Sequence, residues 1–91
     1  MEYYDRVLAI DPNHVGALNN KGIALFHLGR IEEAISYSDR ALAIHPNLLD
    51  ALTNKANALL NLGRYEEAIE HYDRALAIDS DATKISGKVD Y

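Results

Sequence analysis

A 34-residue period runs through this chain and limits its fold more than any other feature. Residues 15–48 set above residues 49–82 agree at 19 of 34 positions, and the run Asp39 to Ile44 returns unchanged at Asp73 to Ile78. It appears a third time at Asp5 to Ile10, with Val7 in place of alanine, followed by Asp11-Pro12-Asn13. A unit of this length is one supersecondary element that cannot bury its apolar face alone, so successive units must stack. The chain divides into the back half of a unit (1–14), two whole units (15–48 and 49–82) and a tail (83–91), about 2.4 repeats in all.

Each unit reads as a helical hairpin. Pro12 or Pro46 stops one helix, and Asn13 or Asn47 is expected to cap the next by accepting from its free N–H groups. Gly29 and Gly63 suit the left-handed turn past a helix end, and Glu32-Glu33 or Glu66-Glu67 then begin the following helix at its positive dipole end. On that second helix Ala34, Ile35, Ser38, Ala41 and Leu42, with Ala68, Ile69, Tyr72, Ala75 and Leu76, recur at spacings of three and four as one apolar stripe. The spacing predicts helices near 1–10, 14–28, 31–44, 48–62 and 65–78, an all-α solenoid with Ala34, Leu42, Ala68 and Leu76 in its core. The tail has Ile85 and Val89 four apart but also Gly87, which leaves a short helix and disorder both open.

Composition excludes several functions. Without cysteine there is no disulfide, thiolate metal site or thiol nucleophile. Apolar runs such as Val7 to Ile10 are far short of the roughly 20 residues a membrane span needs, and the opening residues resemble no secretion signal, so a cytoplasmic chain is expected. A net charge of −5 argues against nucleic acid, which needs a basic face. His14, His27, His45 and His71 form no pair at metal spacing, and no HExxH, GxSxG or phosphate-loop string is present. The adjacent acids point about 100° apart on a helix, which makes them poor general acid and base partners. Neither an enzyme nor a cofactor is expected.

The period, Gly22 or Ala56 early in the unit, Ala34 or Ala68, Ala41 or Ala75, Tyr72 and Pro46 together resemble the tetratricopeptide repeat (TPR), in the style of archaeal and cyanobacterial arrays. The resemblance covers residues 1–82. Leu18 and Leu52 stand where the family usually has Trp, Ser38 where it has an aromatic, and Ser80 where it has Pro. It implies that the first helix of each unit lines a concave groove and the second faces outward. The outward helices near 1–10, 31–44 and 65–78 carry charges of −1, −2 and −3, whereas the groove helices sum to +1. That acidic convex side reads as a solvated face.

The resemblance also implies a function, a protein–protein interaction module or adaptor holding an extended peptide in the groove. The implied groove residues are Asn19, Asn20, Ile23, Phe26 and His27 on the first unit and Asn54, Asn57 and Asn61 on the second, with Gly16, Asp50, Thr53 and Leu60 beside them. Asn20 and Asn54 share one repeat position, where some arrays of the family carry an asparagine ladder. An amide both donates and accepts, so it can pair with a peptide backbone whatever the side chains are. The alternative is that these amides keep an exposed face soluble. A carboxylate clamp of the kind known in the family would use Asn54, Lys84 and Lys88, but Asn19 and Ile23 stand where Lys and Asn belong.

The opening helix lacks its own first-helix partner, which leaves Tyr3, Tyr4, Val7 and Leu8 as a candidate dimer interface. The two-fold arrangement, in which these tyrosines meet, is favoured over a head-to-tail contact with the tail. The competing overall reading is a self-assembling structural piece of a longer array with no peptide ligand of its own.

Overall fold

A computed structural model describes the backbone of residues 1–89 and the side chains of residues 1–79. Among the described residues there are five helices and no strand: α1 (Glu2–Ile10), α2 (Val15–His27), α3 (Ile31–Ile44), α4 (Leu49–Asn61) and α5 (Tyr65–Val89). The pairs α2/α3 and α4/α5 form antiparallel hairpins; α3 packs on α4, α1 packs on α2, and α2 meets α4. The expected helical-hairpin solenoid is the observed fold.

Both hairpin turns close in the same way. Gly29 and Gly63 have φ of +80° and +78°, a left-handed backbone that only glycine adopts without strain. The Arg30 N–H then reaches back to the Leu25 carbonyl and the Arg64 N–H to the Leu59 carbonyl, each at 2.9 Å. With Gly29 N–H on Phe26 and Gly63 N–H on Leu60, this is the Schellman pattern that satisfies the last carbonyls of a helix. Between units, Asp11 and His45 precede prolines and are pushed out of helix into φ −132° and −126°.

The helix starts differ from expectation. His14, not Asn13, caps α2, its Nδ1 accepting from the Ala17 N–H at 3.0 Å, while Leu48 occupies the corresponding place before α4 without a side-chain cap. Asn13 instead sits inside the turn, where its own N–H bonds Asp11 Oδ1 at 3.3 Å. The tight Asp11–His14 turn takes the asparagine one residue upstream of the cap.

The core is also placed differently. Ala34 and Ala68 are buried as expected, but Leu42 is half-buried and Leu76 is 60% exposed. The fully buried large residues are Leu18, Leu25, Leu52 and Leu59, all on the first helices of the units. Burying each contributes about 1.5–3 kcal/mol, and the alanines of α3 and α5 let these helices come close enough to do it. Leu42 is covered because it packs with Leu48 around Leu18, Ala41 and Ala51. Leu76, one period later, has no such cover among the described residues.

The last helix runs to Val89, past the end expected at residue 78. In α3, Pro46 forces a stop, whereas Ser80 at the corresponding place keeps its N–H and permits helix to continue. The packing of the tail lies outside the described side chains.

Candidate functional site

Helices α2 and α4 lie side by side on the concave face, and a small cleft of about 100 Å³ opens between them. Ile23, Phe26 and His27 line it from α2, and Asn54 and Asn57 from α4, with Gly22, Ala34 and Ser38 around them. Five of the eight groove residues expected from the sequence are thus brought together. Phe26 is held edge-on to His27, ring centres 5.7 Å apart at 82°.

The other three are placed elsewhere. Asn19 is buried, and its Oδ1 accepts from the Asn54 amide at 2.9 Å. It therefore orients Asn54 and does not itself face the groove, because turning one position along α2 rotates the side chain toward α4. Asn20 is exposed and lines a separate cleft of about 170 Å³ beside Tyr3, Tyr4 and Val7 of α1. Asn61 is exposed at the end of α4. The rung thus links Asn54 to Asn19, at neighbouring repeat positions, and does not run from Asn54 to Asn20. Asn57 is engaged as well, accepting the Tyr72 hydroxyl.

Lysines on the groove helices are tied to the preceding outward helix. Lys21 pairs with Asp5, and Lys55 pairs with Asp39 at 2.6 Å. Lys21 also lies 4.6 Å from the centre of the Tyr37 ring, whose other neighbour is Arg40 at 5.0 Å. Asp5 above all, and then Tyr37, hold the Lys21 ammonium above its ordinary pKa. These cations are neutralised within the fold. The pairing escaped the sequence reading, although Asp5/Lys21 and Asp39/Lys55 share one spacing of 16 residues.

On the convex side Arg30 grips Glu33 through two bonds of 2.8 and 2.7 Å, and Arg64 grips Glu67 through two of 2.8 Å. Each guanidinium draws its carboxyl below the usual carboxylate range. The acids that the sequence assigned to the helix dipole thus also fix the arginine at each hairpin turn.

The interface residues expected on α1 are partly covered. Tyr3 is 73% exposed and Ile10 is 87% exposed, but Tyr4, Val7 and Leu8 are half-buried, with Leu8 packed against the core of the first unit. No helix among the described residues is long and apolar enough to cross a membrane.

Helical hairpins stacked in this order define a helical-repeat solenoid. Residues 13–81 match the tetratricopeptide repeat family, and the chain belongs to it. That fold is generally a non-enzymatic protein-interaction fold. Among solved structures, MamA from AMB-1 superposes with a TM-score of 0.81 at 31% identity, over 86% of this chain and 46% of that one. A second MamA structure gives 0.85 at 20% identity, over 91% and 48% of the two chains. The second TPR of Spaghetti (RPAP3), bound to the HSP90 peptide SRMEEVD, gives 0.81 at 23% identity, over 85% and 71%. The chain spans a little under half the length of the MamA chains. No curated protein matches it.

Proposed function

We propose that this chain is a binding module that holds an extended segment of another protein across α2 and α4. The observation that carries the reading is the Asn54 amide, fixed by Asn19 at 2.9 Å on the wall of the cleft. One amide N–H is used in that bond, so the second N–H and the carbonyl oxygen are left for a peptide backbone, already oriented. Ile23 and Phe26 beside it offer an apolar seat for one small side chain. Asn57 extends the polar track along α4. The second TPR of Spaghetti (RPAP3), similar in fold, is bound to a peptide, which supports a peptide as the kind of ligand.

A peptide-array screen against the purified chain, followed by titration of the best binder, tests this. Asn54→Ala and Phe26→Ala should each weaken that binder, whereas the exposed convex variant Ser36→Ala should not. Affinity unchanged by both groove substitutions would remove the reading.

A second reading, self-association through α1, is supported by the exposure of Tyr3 and Ile10. Light scattering at micromolar concentration would then give twice the 10.1 kDa chain mass. Tyr3→Glu should shift it toward monomer; Val7 and Leu8 are poorer probes because both are half-buried and Leu8 packs against the core of its own chain. A monomer at every concentration excludes it.

A further inference from the structure

The charge that α2 and α4 offer a ligand has the opposite sign in the fold from the one their sequence sums to. Lys21, Lys55 and Asp50 are the charged residues of these two helices, a total of +1. Both lysines are tied to the preceding helix, Lys21 by Asp5 and Lys55 by Asp39 at 2.6 Å, and their side chains are only 15% and 20% exposed. A cation already paired and largely withdrawn from water has little left for a ligand. Asp50 is exposed, and no ion pair or side-chain hydrogen bond engages it among the described residues. The net charge that the two helices present is therefore negative.

That charge stands beside the peptide track. The cleft between α2 and α4 opens into a wider groove of about 740 Å³, and Ile23 and Asn54 line both. Asp50 and Asp79 line the wider part, and no lysine or arginine lines either part among the described residues. Asp50 precedes Asn54 by four residues, about 6 Å along the helix, a distance that an extended chain covers in about two residues. In the first unit Gly16 holds the repeat position of Asp50, so the acid marks the second-unit end of the track.

We propose that the segment held across α2 and α4 is cationic, with lysine or arginine within two residues of the small aliphatic side chain that sits against Ile23 and Phe26. This deepens the binding-module reading and rests on it. Asn54 meets the peptide backbone, the apolar seat takes the aliphatic group, and the ammonium or guanidinium reaches Asp50. An acidic segment of the same shape is excluded, because its carboxylate would face Asp50. The chain's net charge of −5 adds a long-range attraction of the same sign. An exposed pair of this kind selects between ligands more than it adds affinity.

The probe is an array of heptapeptides with alanine, valine or leucine at the centre and lysine, arginine, glutamine, aspartate or glutamate at the flanking places, incubated with the full chain. Peptides retained should carry lysine or arginine within two residues of the centre. The best binder and its lysine-to-glutamate counterpart are then titrated in solution at low salt, where the cationic form should bind about fivefold more tightly, the scale of an exposed ion pair. Added salt should shrink the difference. Asp50→Asn should erase the preference and Asp50→Lys should reverse it. Circular dichroism checks that both variants stay helical, and Asp50→Asn carries the test alone if the lysine form does not. A preference for acidic peptides, or a ratio unmoved by the Asp50 substitutions, overturns the proposal. If Asn54→Ala still weakens the best binder in that case, the binding-module reading stands without it. An array that retains no peptide removes both.

Discussion

The side-chain amide of Asn54 donates to the side-chain carbonyl of Asn19 at 2.9 Å, joining the first helices of the two units 35 residues apart in sequence. Asn19 is buried and Asn54 is half-buried, so removing Asn54 strands a buried acceptor. Asn54→Ala should lower the free energy of unfolding by about 1–3 kcal/mol, the cost of an unsatisfied buried partner. A double-mutant cycle with Asn19→Ala, followed by urea unfolding, should show coupling of about 0.5–1.5 kcal/mol. Strict additivity of the two substitutions would mean the rung contributes nothing.

The exposed state of Leu76 makes a second expectation sharp. Leu25→Ala and Leu59→Ala remove fully buried side chains and should each cost about 2–5 kcal/mol. Leu76→Ala, at a position 60% exposed, should stay within about 0.5 kcal/mol of the parent. Leu42→Ala should fall between them. Chemical denaturation of the four variants orders them, and a Leu76 effect equal to that of Leu42 would show that the face is covered in solution.

The contrast between Leu42 and Leu76 also marks how far the sequence could be read. The period and the Gly29 and Gly63 turns defined the hairpins and the helix order, because local backbone chemistry repeats with the residues. Burial does not repeat in that way. Leu42 and Leu76 are identical in their units, but cover comes from the helix that follows, and only the first unit has one among the described residues. The groove was legible as a set of residues, while the use of each was not: Asn19 and Asn20 are adjacent in sequence, yet one turns toward α4 and the other toward α1. The Asp/Lys series was available from spacing alone and acquires meaning only once the crossing helices are seen.

Acid should weaken the hairpin turns. Glu33 and Glu67 have folded pKa values lowered by Arg30 and Arg64, so their contribution is present above the ordinary carboxylate range and is lost as pH falls through the folded values. Both pairs are solvent-exposed, so the effect is small and screened by salt. Thermal melts at low ionic strength should show a decline on the acid side that Glu33→Gln/Glu67→Gln flattens and that high salt also flattens. Lys21 has the opposite sign. Its raised pKa means that the contribution of the Asp5 pair persists at neutral pH and is lost only as pH rises through the folded value.

The left-handed turns set a further test. Gly29→Ala and Gly63→Ala place a Cβ where φ is +80° and +78°, although space is open around Gly29. The cost is therefore conformational, about 1–2 kcal/mol for each substitution. Gly29→Asn should recover part of it, because asparagine tolerates this region better than alanine. Equal stability of the alanine and glycine forms would mean that the turn has rearranged.

Gly22 should behave in the opposite direction. It lies in the middle of α2 with helical φ, so its backbone has no need of glycine. A Cβ built there would meet the Ala34 carbonyl oxygen at 3.4 Å and Ser38 Oγ and Tyr37 Cβ at 3.5 Å, all ordinary van der Waals contacts. The second unit already carries the test, since Ala56 occupies the same repeat position and is fully buried. Alanine loses less backbone freedom on folding and adds apolar contact, so Gly22→Ala should stabilise the chain by about 0.5–1 kcal/mol. A rise in both the thermal midpoint and the urea midpoint is expected. A fall would mean that α2 and α3 approach too closely for a methyl group, and that the glycine is there to let the first hairpin pack more tightly than the second.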